Sequence, residues 1–371
     1  MRILTVNAGS TGVKLERYDL DAPLPELASP PDPDWETQTT VDAADDALAD
    51  VLGTGVDAVA HRFVRLPDDA PDVLLLDANA VQAIAGVGGE APLHDAGALR
   101  AVKLVRRLWP ATPQVAVADG AFHRTMPAAA TTYAIPRELT RRGLRRRGYH
   151  GLSHEYAAHR ACALAGIDVA RAEVVTAHLG GGSSLCAIHR GSSVDTTMGY
   201  TPLEGLPMAT RSGSVDPGLL LHLLREGMTP DQLGEILERR SGLLGISGRS
   251  GDVRELLGAP DDPDARLALD VLAWRLRAAI GAMIGVLGRA DLLVFTGGIG
   301  QHAADIRAAG VLGAAASGAE LDAVRNAATA SDGRISTDRS RIGTFVVSAR
   351  EGWQLARRAY SELLPTSHPR R

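Results

Sequence analysis

Ile3–Lys14, ILTVNAGSTGVK, and Val174–Leu185, VVTAHLGGGSSL, share one plan: an apolar run, a polar residue, a Gly/Ser turn and a second run. Both read as strand–turn–strand. A Walker P-loop runs strand–turn–helix instead, and no G-x-x-x-x-G-K-[ST] occurs anywhere in the chain. Two such hairpins, each near the start of one half, suggest a duplicated α/β domain with a nucleotide between the halves. Gly/Ser turns are also ordinary hairpin connections, so the echo alone does not decide the matter.

Outward from the first hairpin, Ala22–Glu36 is rich in proline and acids and reads as a loop or irregular edge. Val56–Val64 and Gln114–Ala118 read as strands, the second delivering Asp119 at its end, with a helix over Asp95–Leu108 between them. Beyond the second hairpin, Arg266–Arg289 carries Leu272, Leu276, Ile280, Ile284 and Leu287 at helical intervals and predicts a long core helix. Leu292–Phe295 is a buried strand entering the glycines of Thr296–Gly300. Phe345–Ser348 and Gly352–Leu363 close the chain as strand and helix.

The length of 371 residues exceeds what one ordinary core needs and predicts two domains. With 45% hydrophobic and 22% charged residues and a net charge of −5, the chain has the composition of a soluble globular protein. Few aromatics and mild acidity argue against nucleic acid or an anionic membrane as partner. Two cysteines, Cys162 and Cys186, exclude a disulfide scaffold and a Cys-based zinc site and fit a reducing compartment. The apolar start MRILTVNAGS is too short for a signal segment, and no apolar run reaches a bilayer span, so a cytoplasmic protein is expected. All but two of the 39 Lys and Arg residues are arginine. The exceptions are Lys103, on an amphipathic helix, and Lys14, which closes the first hairpin.

Phosphate binding needs close backbone N–H groups, hydroxyls and cations. Asn7, Ser10, Thr11 and Lys14 supply these at the first hairpin, and Gly180–Ser184 at the second. Thr296–Gly300 leads from strand to helix, where absent side chains admit a flat ring or a phosphate. Arg62 at a strand end and Arg211 within MATRSGSVDP suit a carboxylate or a transferring phosphoryl group, although a chain so rich in arginine pairs many of them with surface acids. His150 and His154 have i,i+4 spacing, but Gly151 weakens a helix there and no glutamate sits in a zincin position, which argues against a metal pair. Asp119 and Glu351 follow strands, where they can serve Mg²⁺ or simply complement a helix dipole. The basic run Arg141–Arg147 lacks interleaved aromatics and reads as a solvated or anion-attracting face.

In chain order, the motifs are TVNAGSTGVK, HRFV, APLH, DGAFHRTMP, RRGYHGLSH, HLGGGSS, DTTMGYTPLEGLPMATRSGSVDP, SGLLGISGRSGDVREL and FTGGIG, followed by the Glu351 region. Through these, nearly end to end, the chain resembles the acetate kinase family, the short-chain acyl kinases of the acetate and sugar kinase/Hsp70/actin superfamily. The resemblance implies two duplicated ribonuclease H-like (actin-like ATPase) α/β domains with an active-site cleft between them. The expected domains are residues 1–122, completed by a C-terminal helix at 353–371, and 123–352. It implies reversible, direct in-line transfer of the ATP γ-phosphoryl group to acetate or propionate, giving acyl phosphate and ADP, with Mg²⁺ (or Mn²⁺), in a homodimer. A longer acid, pyrophosphate as donor, or a weakly active sensing homologue are the alternatives.

By motif position, Arg62, Asp119, His150 and Arg211 match the family's catalytic residues, and Asn7 and Glu351 its positions near the metal. Arg62, Val64, Leu93 and Pro202 match the acid-binding pocket. The nucleotide side falls on Ser10, Thr11, Lys14, His178, Gly180, Gly181, Gly182, Asp252, Arg254, Gly298, Ile299 and Gly300. The chain departs from the family pattern at Gly12, usually serine, and Gly181, usually asparagine. Val253 replaces an aromatic, and Gln301–His302 replaces Glu-Asn.

Overall fold

The computed structural model describes every residue except 9–11, 22–23, 25, 41–43, 54, 65, 68, 88–91 and 365–371, and only the backbone of 44, 45, 52, 87 and 92–95. The described residues group into two compact units, Met1–Ala121 with Arg350–Arg371, and Phe122–Ala349.

The first unit is built on a six-stranded sheet. Its strands are β1 (Arg2–Ala8), β2 (Val13–Asp19), β3 (Trp35–Thr39), β4 (Ala58–Phe63), β5 (Val73–Leu75) and β6 (Gln114–Ala118), in the order β3-β2-β1-β4-β6-β5. β1, β4 and β6 are parallel neighbours, while β2, β3 and β5 run antiparallel to theirs. The apolar runs fill a core in which Leu4, Val6, Val59 and Phe63 are fully buried against Val102 and Val105 of the helix Pro92–Leu108. The second unit repeats the plan with β7 (Glu173–Leu179), β8 (Ser183–His189), β9 (Ser192–Thr196), β10 (Leu292–Thr296), β11 (Gly333–Arg334) and β12 (Gly343–Val346), in the order β11-β12-β10-β7-β8-β9. Here β7, β10 and β12 are the parallel neighbours. Matching β7 to β1, β8 to β2 and β10 to β4 superposes the two strand orders, so the echoed hairpins occupy the same place in each sheet. The long helix Pro263–Leu287 buries Leu272, Leu276, Ile280 and Ile284 against this sheet, as their spacing requires.

Two expectations need correction. Ala22–Glu36 is not wholly irregular, because its end enters β3, which pairs with β2 along five residues. This edge strand explains Gly12: a Cβ there would stand 2.8 Å from the carbonyl oxygen of Thr39, so serine cannot enter without moving β3. Gly151, read as weakening a helix, is instead the first residue of the helix Gly151–Ala165, where glycine costs less than in an interior turn.

His61 on β4 is fully buried, and its Nε2–H donates to Gln114 Oε1 at 2.8 Å. Burial lowers its pKa to about 4, against which the Gln114 bond works only weakly. The unfolded chain therefore takes up a proton near pH 6.5 that the native chain refuses until about pH 4. Stability from this group is complete above pH 6.5 and is lost as pH falls through that window, by ~2 kcal/mol at pH 5. The expected result is that the stability gap between the wild type and His61→Gln narrows by about that amount between pH 7.5 and 5. Parallel urea-unfolding profiles at the two pH values would contradict it.

Candidate active site

In the first unit, three neighbouring parallel strands deliver polar residues to one edge of the sheet. Asn7 lies near the end of β1, Arg62 near the end of β4, and Asp119 directly after β6. The C-terminal edge of parallel strands is where α/β sheets place ligands. Arg62 Nη2 donates to Asp119 Oδ2 at 2.8 Å, with the two side chains 8% and 0% exposed. Arg62 Nη1 reaches Asn7 Oδ1 at 3.4 Å, and Asn7 Nδ2 donates to Glu351 Oε2 at 2.6 Å. Glu351 opens the helix Glu351–Leu363. Four of the predicted residues thus form one continuous network. Arg62 pairs with a buried acid rather than a surface one. Val64, just past β4, is buried beside them in sequence.

Lys14 behaves differently from its expected place at a phosphate. Its ammonium is committed to Glu16 Oε1 at 2.8 Å and Glu36 Oε2 at 3.3 Å. Burial alone would lower its pKa, and the two carboxylates outweigh that and raise it. Glu16 in turn lies against Gly352, where any side chain would collide with its carboxylate. Ser10 and Thr11 lie outside the described residues, as does the side chain of Leu93, whose backbone is in the helix Pro92–Leu108.

The second unit gathers a histidine cluster. His150 precedes the helix Gly151–Ala165 in a left-handed conformation, φ 58°, that is costly for a residue with a Cβ and that clusters at functional sites. Its ring stacks on that of His178, near the end of β7, at 4.3 Å between centroids. Gly182, in the turn between β7 and β8, marks where two further groups converge. A Cβ there would stand 2.7 Å from Arg211 Nη2 and 3.2 Å from His150 Nε2. Arg211 Nη1 donates to the carbonyl of Pro202 at 3.0 Å, which fixes the guanidinium, and burial lowers its pKa without removing its charge. Gly180 donates its N–H to Gly182 O and Ser183 Oγ within the same turn. His150, His178, Gly180, Gly182, Pro202 and Arg211 therefore belong to one neighbourhood; of Gly181 the structure adds only that it is exposed in that turn.

The remaining nucleotide-side residues lie elsewhere in the unit. Asp252 caps the helix Val253–Leu257 by accepting from Arg254 N, and its carboxylate also binds the exposed Arg254 guanidinium. Val253, in the place of an aromatic, is buried. Gly297 opens the helix Gly297–His302 at φ 78°, with Leu179 O 2.6 Å from where its Cβ would be, so only glycine fits. At Gly298 a Cβ would meet nothing within 4 Å, so this face is open, with Ile299 partly buried and Gly300 buried behind it. Gln301, in place of glutamate, donates to Ala330 O and Ser348 Oγ and accepts from Ala349 N.

The basic run corrects a further expectation. Arg146 is not a solvated cation: it donates to the carbonyls of Thr196, Thr197 and Met198 and pairs with Glu204 at 2.6 Å. Arg147 lies over the ring of Tyr200. Both hold the loop that leads to Arg211. Sequence reasoning took Ser184 for part of a phosphate turn and missed Ser153 and Thr176; the three bond His150, His178 and His154 respectively. The spacing signal was present, since Thr176, His178 and Ser184 share a face of the β7–β8 pair.

The acetokinase family model matches residues 36–357. The acetate kinase of Acaryochloris marina is 38% identical over 98% of this chain and all of its own length. That of a Synechococcus species is 45% identical over 81% of this chain and 75% of its own. Among solved structures, Porphyromonas gingivalis acetate kinase is similar at TM-score 0.85, 30% identity, and coverage of 98% of this chain and 100% of that one. A propionate kinase from Francisella tularensis reaches 0.84 at 31% identity, covering 96% and 98%.

Proposed function

The chain belongs to the acetokinase family and is a phosphotransferase of the acetate kinase type; from that premise we propose that it transfers the γ-phosphoryl group of ATP, reversibly, to the carboxylate of acetate or propionate. The observation that carries this reading is the convergence of Arg211 Nη2 and His150 Nε2 at Gly182. A carboxylate is already a nucleophile, so the protein needs no strong base. Its task is to bring two anions together and to offset charge on the transferring group.

In this reading one carboxylate oxygen forms a bond to the γ-phosphorus while the bond to the β,γ-bridging oxygen breaks, and ADP leaves with that electron pair. Arg211 and His150 donate to the equatorial oxygens. Arg62, held by Asp119, binds the acid's carboxylate, and Val64, Leu93 and Pro202 match by motif position the family's pocket for its alkyl end. A pocket of this kind separates acids that differ by one methylene by only about 1–3 kcal/mol. His178, the turn Gly180–Gly182 and the open face at Gly298 take the nucleotide, with Asp252 and Arg254 on its sugar side. The open face favours a nucleotide over pyrophosphate as donor.

Mg²⁺ (or Mn²⁺) fits the donor set. Glu351 and Asn7 present hard oxygen atoms, and no group of three His, Cys, Asp or Glu that could cage an ion occurs among the described residues. Mg²⁺ requires no such cage, because phosphate oxygens and one or two carboxylates hold it. When bound, the metal neutralises phosphate charge. Apolar residues left exposed on the helix Pro217–Arg225 (Leu219, Leu221 and Leu224), together with Trp274, support a homodimer. The two cysteines, both buried and free, support the cytoplasm as location.

The test is to trap acyl phosphate with hydroxylamine across acids from formate to butyrate, with ATP and Mg²⁺ or with pyrophosphate. Hydroxamate with ATP and the two- and three-carbon acids is expected. Folded protein that gives none with any acid would falsify the reading.

A further inference from the structure

We propose that Thr176, His154 and Ser184 form a one-way hydrogen-bond relay that holds His150 as the neutral tautomer protonated on Nε2, which makes all three positioning residues for the reaction. Ser184 Oγ lies 2.9 Å from His150 Nδ1 and 2.8 Å from His154 Nε2. His154 Nδ1 lies 2.7 Å from Thr176 Oγ1. All three relay side chains are fully buried.

The direction of the relay follows from counting donors. Among the described residues, His154 Nδ1 is the one hydrogen-bond partner of the Thr176 hydroxyl. A buried hydroxyl that fails to donate costs about 1–3 kcal/mol, so Thr176 donates to Nδ1. A neutral His154 then carries its proton on Nε2 and donates it to Ser184 Oγ. Ser184 has one proton left to give, and its other neighbour is His150 Nδ1. That nitrogen accepts, so the proton of a neutral His150 stands on Nε2, the atom that converges with Arg211 on Gly182. The reverse order would leave the Thr176 hydroxyl without an acceptor.

The surroundings keep the His154 ring neutral. Burial lowers the pKa of His154 well below the usual range, and neighbouring His123 and His178 lower it further. His123 and His178 both meet the His154 ring edge-on, and His178 stacks on His150. His123 is fixed on its own account, since its Nε2–H donates to Tyr149 O and its Nδ1 meets Ser193 Oγ. His154, His178 and Arg211 are among the groups near His150. A donor that does its work while neutral remains a donor across the neutral pH range.

The relay's function rests on the proposed role of His150, so the test separates the two. In protein with ¹⁵N-labelled histidine at pH 7.5, the expected NMR result is a bare Nδ1 and a protonated Nε2 for His150. Thr176→Val keeps the shape of the side chain and removes the first proton. It is expected to mix the His150 tautomers and to lower kcat about 10-fold with KM for acid and nucleotide unchanged, less than the ~10²–10³ lost with a whole donor. Ser184→Ala is expected to do the same, and Thr176→Ser to restore both readouts. A His150 protonated on Nδ1 in the wild type, or an unmixed tautomer in folded Thr176→Val, overturns the relay. Mixed tautomers with unchanged kcat would overturn instead the part assigned to His150 in the reaction, and with it the relay's catalytic use.

Discussion

Replacing Arg211 with alanine is expected to lower kcat by ~10³-fold or more, about 4 kcal/mol of transition-state stabilisation, with nucleotide KM changed only about threefold. The reason is geometric. Arg211 is anchored through Nη1 to Pro202 O, which leaves Nη2 aimed at the point it shares with His150. A guanidinium fixed in advance acts on charge as it develops on the phosphoryl group, and costs no reorganisation at that moment. Since it is half-buried, its field is not fully screened by water. Arg211→Lys should recover little, because an ammonium has no second arm to hold it to Pro202 while it points elsewhere. Initial-rate kinetics with the acid and the nucleotide varied in turn check the split. An unchanged kcat would remove Arg211 from the reaction.

Asp119→Asn is expected to remove both activity and stability. Asp119 has no solvent exposure and holds Arg62, itself almost wholly buried, at 2.8 Å. Taking the charge from one partner of such a pair costs about 3–5 kcal/mol, and the retained shape of asparagine places this variant toward the lower figure. The network also ties Arg62 to Asn7 and Asn7 to Glu351, so an arginine that shifts carries the proposed acid and metal positions with it. We expect kcat to fall ~10²-fold or more, since small misplacements of positioning groups have effects of that size. Urea unfolding and kinetics on the same preparation separate the two losses. Wild-type values for both would show that the pair matters to neither fold nor reaction.

The strands that the sequence made legible are the central ones. β1, β2, β4, β6, β7, β8, β10 and β12 are apolar enough to be read from their residues. The four that were missed, β3, β5, β9 and β11, are the outer strands of the two sheets. The reason is physical: an edge strand has one partner and is often short or polar, as WETQT and the two-residue β11 show. Pairing with a distant neighbour makes these segments strands, and that information is not local.

The candidate site divides in the same way. Asn7 was legible from the first hairpin and Asp119 from the strand end that carries it, and the resemblance singled out Arg62, His150 and Arg211. The role of Arg146 was not legible, because the carbonyls that it binds lie some fifty residues along the chain. The same holds for Lys14. Its turn context suggested a phosphate ligand, while its actual carboxylate partners sit on the same strand and on an edge strand that was itself unread. Gly12 changed meaning for that reason too. It looked like a lost hydroxyl and is a close approach to β3.

The central claim is that the phosphoryl group passes in one displacement from the nucleotide to the acid's carboxylate, with Arg211 and His150 offsetting its charge and no residue of the chain carrying it. Configuration at phosphorus tests this most directly, using ATP made chiral at the γ-position with oxygen isotopes and analysing the acyl phosphate formed. The account predicts inversion, the outcome of a single in-line displacement. Retention would require a second displacement through a phosphorylated side chain, and would contradict it.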